Sequence, residues 1–281
     1  MDSKYGPRLF DHIESHKDSV YVLQSELEAV VPQHTHTQGH ILYVMQGVAT
    51  LNAEHNEYYI PNGYFVWIPP KMSHRISFEE KKIKILNIYY PVKYSSVPFY
   101  ENVGVYPIPS LLFHTFEQVE GKTATYRVDD WQHELLVTLI DIIPHIVNQN
   151  RSQLRMPVSD DPAVLKILKV IHKKYKSELT VTMVADEVGM SVRTLSRHLR
   201  NELDLSFIEY LRKYRMVMAI KQMVKGEETI TNIAYSVGYE SLTAFSNTFF
   251  KVMGCRPSQF LKTEEDEHLS EMSKNMSNYN K

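Results

Sequence analysis

One cysteine, Cys255, stands in 281 residues, so no internal disulfide can staple the chain. That usage fits a reducing compartment and points to a cytoplasmic protein. Long apolar runs are also missing: no stretch approaches the roughly 18–20 residues a membrane-spanning helix needs. The N-terminal MDSKYGPRLFDHIESHKD lacks the apolar core of a secretory signal. Neither sign of charge dominates, with 31 Lys+Arg against 33 Asp+Glu, a balance that by itself disfavours a nucleic-acid partner. The balance hides a division. Between Asp160 and Lys262 there are 16 basic and 11 acidic residues, and elsewhere 15 and 22. A basic segment on an acidic remainder is expected when one domain alone meets phosphates.

What is present is ordinary globular material, 43% hydrophobic and 23% charged, in a length suited to two domains. In the first hundred residues SVYVLQ, HILYVMQG, ATLNA, EYYIPNG, YFVWIPP and KIKILNIYYPV are rich in Val, Ile, Tyr and Leu, and Gly, Pro and Asn bound them. Such short strands predict an all-β barrel or sandwich. From Asp129 the pattern turns helical: Trp131, Leu135, Leu139, Ile142 and Ile146 share one face, which Leu136 and Ile143 widen. Pro144 is expected to kink or shorten that helix. NQNRSQLRMPVSDDP has no periodicity and reads as a linker.

From Asp161 to Lys262 the chain reads as helices at about 162–176, 180–188, 191–203, 206–224, 229–237, 241–253 and 257–262. Two stretches repeat one grammar, VTMVADEVGMSVRTLSRHLRNEL and ITNIAYSVGYESLTAFSNTFFKVMG. Each places Ala four residues before Gly (Ala185 and Gly189, Ala234 and Gly238), then a capping serine, Ser191 or Ser241. Ala lets two helices cross closely, Gly supplies the left-handed turn, and Ser caps the next helix. Leu195 and Leu199, then Phe245 and Phe249, form the buried faces. This is helix-turn-helix grammar, in which the second helix enters a major groove. Between the units SFIEYLRKYRMVMAIKQMV predicts a rod of about 28 Å, close to the roughly 34 Å repeat of DNA.

The segment from Asp161 to Lys262 resembles the DNA-binding domain of AraC/XylS-type transcription regulators, most closely over IAYSVGYESLTAFSNTFFKVMGCRPSQF. The family usually has Gly where Asp204 stands, so a different turn is expected there. It often has Arg at the position of Asn247 and Lys at that of Phe250, so the second unit is expected to be the weaker reader. By motif position the resemblance implies base-facing Arg193, Ser196 and Arg197 in the first unit, and Thr243, Ser246 and Asn247 in the second. Arg200, Lys251 and Arg256 would position the DNA backbone. Arg212, Lys213 and Arg215, on the rod, are expected to be solvated.

HTHTQGHILYVMQG places His34, His36 and His40, and GYFVWIPPKMSH places His74. These spacings resemble the two cupin motifs, with His40 where a Glu is usual and Lys71 where a Gly is usual. The resemblance implies a small barrel with a metal site formed by His34, His36, His40 and His74. Imidazole suits Zn, Fe or Ni. On one strand His34, His36 and His40 would share a face. The other occupant is a small-molecule effector, with His34, His36, Tyr43, Trp67 and His74 as candidate contacts and Tyr89 as a further wall.

The expected organisation is a cupin-like effector-binding and dimerisation domain over 1–150, a linker over 151–160, tandem helix-turn-helix units over 161–262 and a polar tail over 263–281. The expected function is a one-component regulator, most simply a homodimer, that binds double-stranded DNA under control of an effector or metal. RNA polymerase is a further expected partner, and the sequence leaves activation against repression open. The alternatives are a dioxygenase-like, metal-dependent cupin enzyme with a DNA-binding appendage, and a direct metal sensor.

Overall fold

The chain alternates hydrophobic and polar residues over its first half and switches to helical periodicity afterwards, and the backbone follows. The computed structural model describes residues 7–27, 30–78, 83–91, 97–147 and 154–260. Helix α1 (Pro7–Ser15) precedes β1 (Val20–Leu27), β2 (Val31–His34), β3 (Gly39–Gln46), β4 (Val48–Ala53), β5 (Asn56–Pro61), β6 (Tyr64–Ile68), β7 (His74–Phe78) and β8 (Ile83–Tyr90). Then come α2 (Pro98–Glu101), β9 (Gly104–Pro107), α3 (Ser110–Glu117), β10 (Thr123–Tyr126), α4 (Trp131–Ile146) and β11 (Arg155–Pro157).

The strands form two antiparallel sheets, ordered β10-β1-β8-β3-β6-β9 and β11-β5-β4-β7-β2. They face each other as a sandwich and do not close into the expected barrel. Alternation along each strand sorts side chains into two cores. Leu42, Val44, Val66 and Ile68 join the interior between the sheets. Ile41, Tyr43, Phe65 and Trp67 face the other way, under α3 and α4.

Three expectations change here. The stretch read as a linker contains β11, which pairs with β5 through Arg155↔Tyr58 and Met156↔Glu57, with Leu154 and Met156 buried. Its alternating apolar residues were too few to show as a strand. Residues 148–153 and the polar tail 263–281 lie outside the described residues. Helix α4 buries Leu136, Leu139, Ile140 and Ile143, so its inner face is rotated from the predicted stripe, and Trp131 is 62% exposed. The helix continues through Pro144 without ending there.

The C-terminal half is α5 (Pro162–Lys174), α6 (Val181–Val188), α7 (Val192–Leu203), α8 (Phe207–Lys225), α9 (Ile230–Ser236), α10 (Leu242–Met253) and α11 (Pro257–Phe260). Every start from α5 to α10 has a side-chain cap. Asp161 accepts from the Ala163 and Val164 amides, and Thr180, Ser191, Ser206, Thr229 and Ser241 each accept from the amide three residues on. Caps of this kind contribute about 0.5–2 kcal/mol each. The two halves touch through α8, which packs on β5 and β11 and sets Lys221 5.1 Å from the Tyr59 ring centre.

Asp204 ends α7 at φ +52°, the left-handed conformation that Gly adopts most easily, so the turn does not differ as the sequence suggested. Asp204→Gly should therefore stabilise the chain by about 0.5–1 kcal/mol, because the exposed Arg200–Asp204 pair it removes is worth little. Thermal melting checks this; a lowered midpoint would contradict it.

Candidate functional site

On α7 the periodicity that buries Leu195, Leu199 and Leu203 leaves Arg193, Ser196, Arg197 and Arg200 exposed on the opposite face. Gly189, at φ +70°, makes the turn that aims this helix away from α6. Arg193 and Arg197 stand one turn apart and have no hydrogen-bond or ion-pair partner among the described residues. Arg200 differs: its Nη1 donates to the Asp204 carbonyl at 3.2 Å.

The second unit repeats the layout on α10, with Phe245, Phe249 and Met253 buried. Thr243, Asn247 and Lys251 are exposed and Ser246 is half-buried. One arrangement was not legible in the motif. Arg256, beyond the helix, folds back so that its guanidinium lies 5.0 Å from the Phe250 ring centre and donates to Asn247 Oδ1 at 3.2 Å. A cation thus returns to the face that Asn247 and Phe250 leave uncharged, while part of Asn247's hydrogen-bonding capacity is used. Reading adenine takes both the carbonyl and the amine of an Asn.

The histidines do not share one strand. β2 ends at His34, His36 lies in the irregular segment before β3, and His74 opens β7 opposite His34. Candidate ligand atoms of His34, His36 and His74 nevertheless lie within 4.8 Å of one another. In each ring Nδ1 faces a backbone carbonyl: Pro32 at 2.8 Å, Gln38 at 2.8 Å and Met72 at 2.9 Å. A carbonyl only accepts, so each Nδ1 carries the proton and each Nε2 offers a lone pair. The Nε2 atoms of His36 and His74 are buried and have no hydrogen-bond partner among the described residues. Carbonyl-fixed tautomers with lone pairs free to ligate are what a metal-binding histidine set requires.

His40 lies outside this 4.8 Å set, although its Nδ1 too is buried with no hydrogen-bond partner among the described residues. Its Nε2 faces Asn87 Oδ1 at 3.0 Å, and its ring stacks on Tyr89 with centroids 4.2 Å apart. Tyr43 and Trp67, named as effector contacts beside the histidines, lie across the sheet in the outer core. Parity decides this: Tyr43 is three residues from His40, and Trp67 pairs with the outward-facing Ile41.

Burial above all holds the cluster neutral. It lowers His36 to about 4 and His74 to about 3, against 6.5 for a free histidine, and it also lowers His34 and His40. Below pH 6.5 the unfolded chain therefore takes up protons that the native chain refuses. In metal-free protein the contribution of His36 and His74 should be fully present above pH 6.5 and fall by about 1.4 kcal/mol per pH unit for each of the two on the way down toward pH 4. Urea melts between pH 7.5 and 4.5 test the sign. A wild-type slope no steeper than that of a His36→Gln/His74→Gln variant would contradict it.

Outside the sandwich, Trp67, Lys71, Tyr90, Tyr100, Ile140 and Pro144 are among the residues that line a cleft of about 1070 Å³ between the six-stranded sheet and α4. The Tyr90 hydroxyl is buried there with no hydrogen-bond partner among the described residues. Tyr100 donates its hydroxyl to the Ile140 carbonyl at 2.8 Å, tying α2 to α4. The Lys71 amide donates to the His36 carbonyl at 2.7 Å, so the cleft rim and the histidine set share a segment. No periodicity could have shown this cleft, because strand ends, α2 and α4 converge on it from distant positions.

Residues 17–94 match the AraC-like ligand binding domain and residues 184–263 match a helix-turn-helix domain. The HTH-type transcriptional regulator NimR of Escherichia coli strain K12 is 26% identical over 234 residues, which is 83% of each chain. A putative AraC-like transcription regulator of Streptomyces lividans is 33% identical over 102 residues, covering 36% of this chain and 34% of that one. Among solved structures, unsaturated fatty acid bound ToxT from Vibrio cholerae aligns over 86% of this chain and 95% of its own, with 17% identity and a TM-score of 0.36.

Proposed function

We infer that this chain, which belongs to the AraC family of transcription regulators, is a one-component switch that reads DNA unequally with its two units. The observation that carries this is the exposed, unpartnered Arg193–Arg197 pair on a helix whose other face is fully buried. Arginine in a major groove donates two hydrogen bonds to guanine O6 and N7. Arg200, held at its own helix end, suits the phosphate backbone, as does Lys251. Thr243, Ser246 and Asn247 contribute fewer base contacts, and Arg256 docks their unit.

Two ligands are assigned to the N-terminal domain. The triad of His34, His36 and His74 takes a divalent transition metal, with Zn, Fe or Ni matched to imidazole. Three neutral ligands leave a position open for water or another donor. The orphaned Nε2 atoms of His36 and His74 support this reading. The small organic effector is placed in the outer cleft, where Trp67 remains a contact, rather than beside the histidines. Its control over DNA binding requires different affinities for two states of the chain, and the α8 contact with β5 and β11 is the route between the halves. The relatives named above are transcription regulators, which favours regulation over the dioxygenase alternative. The half-exposed Leu135, Ile142 and Ile146 beside Trp131 on α4 support pairing with a second copy. RNA polymerase is the partner through which bound protein would act.

Fluorescence anisotropy of the full chain on duplex DNA from upstream of its own gene tests the function. Binding tighter than to an unrelated duplex by about a thousandfold or more is expected for a specific regulator. Equal affinity for both duplexes would refute it.

A further inference from the structure

The two reading units look independent in sequence, joined by α8 alone. One residue on that rod touches both. Arg215 donates from Nε to the Tyr175 carbonyl at 2.8 Å and from Nη2 to the Ser177 carbonyl at 2.9 Å. Tyr175 is the last turn of α5, and Ser177 opens the loop into α6, so this fork grips the first unit. The same guanidinium lies against the turn of the second unit. A Cβ built on Gly238 would sit 2.7 Å from Arg215 Nη2 and 2.7 Å from the Tyr175 carbonyl oxygen. The Tyr239 ring centre is 5.9 Å from the Arg215 guanidinium carbon.

Gly189 holds the equivalent turn of the first unit at a similar positive φ, yet a Cβ there would meet nothing within 4 Å. The two glycines therefore do different work. Gly189 supplies only a backbone conformation; Gly238 also clears the space in which both units meet Arg215.

We propose that Arg215 is a positioning residue that fixes the separation of the two reading helices, and so the spacing between DNA half-sites that the chain accepts. Its planar fork reaches two carbonyls at once, which a lysine ammonium does not reproduce. Without it the rod loses both hydrogen bonds to the first unit beside the turn at Gly238, and the units can adjust to other spacings. The expectation that Arg215 is merely solvated is corrected by its partners. The assignment rests on the DNA-reading function above, and its consequence is separable: base preference within each half-site belongs to α7 and α10, and spacing belongs to Arg215.

The experiment selects sites from a randomised duplex library with the full chain. It then measures affinity for the selected site and for versions with one or two base pairs inserted between the half-sites. The wild type should lose tenfold or more on insertion. Arg215→Met should lose less than threefold on insertion while keeping the base preference within each half-site, and Arg215→Lys should fall between. A folded Arg215→Met protein that keeps the wild-type insertion penalty would overturn the proposal. Should that variant not fold, Gly238→Ala against Gly189→Ala decides, since both strain a positive φ and only Gly238→Ala crowds the contact between Arg215 and the Tyr175 carbonyl. Relaxed spacing in Gly238→Ala alone supports the pin; the same spacing behaviour in both overturns it. A wild type that selects no sequence removes the DNA-reading function itself.

Discussion

Replacing Arg197 by Ala should weaken binding to the selected DNA site by about 1–3 kcal/mol and erase preference at one base pair. Arg197 leaves α7 on the face opposite Leu195 and Leu199, which are fully buried and hold the helix in one orientation. A side chain so placed, without a partner among the described residues, keeps both donors of its fork available for one base. Arg193, one turn earlier, has the same standing, and the double variant should bind the selected site little better than random DNA. Asn247→Ala should cost less, because Arg256 already occupies Asn247 Oδ1. Titrations against single-base variants of the site separate the roles. Uniform weakening across every variant would make Arg197 a phosphate contact and contradict the account.

Purified wild-type protein should carry about one equivalent of a transition metal, and His36→Ala or His74→Ala should abolish it, with affinity falling about a hundredfold or more. Losing only a group that hydrogen-bonds to a metal ligand already costs about 10–100-fold, and losing the ligand itself costs at least as much. His40→Gln should retain the metal, since His40 lies outside the group of ligand atoms within 4.8 Å of one another. This variant separates three ligands from the four that sequence suggested. A bound ion at about a hundred times its dissociation constant adds roughly 2.7 kcal/mol of stability, so a chelator should lower the melting temperature of wild type and not of His36→Ala. Elemental analysis reads the stoichiometry. Metal-free wild type after growth with added Zn, Fe and Ni, or equal loss in His40→Gln, would end the triad assignment.

The helical half was legible because its signals are local. Ser191, Ser206 and Ser241 cap the helices following them, and Gly189 and Gly238 sit within single turns, so predicted boundaries fall within a residue or two of those observed. The strands were half legible. β1, β3 to β6 and β8 showed as apolar runs, whereas β2, β7, β9, β10 and β11 are too short or too polar to stand out, as is the short helix α1. The histidines stood out by their cupin-like spacing, and only the strand geometry added to that spacing does not hold. A single strand was expected to align His34, His36 and His40, but the chain leaves strand geometry at His36, and His74 arrives by pairing with β2. Parity against His40 sends Tyr43 to the outer face, whereas the place of Trp67 follows only from its pairing with Ile41. Arg215 and the cleft were beyond reach, because their partners come from remote segments with no sequence signature.

The unequal-reader account is tested most directly by a hydroxyl-radical footprint of the full chain on its selected site. Two protected patches on one face of the duplex, about one helical turn apart, are predicted. The sharper base preference should fall in the half that loses protection when Arg193 and Arg197 are replaced. A single protected patch, or equal preference in both halves, would contradict the account.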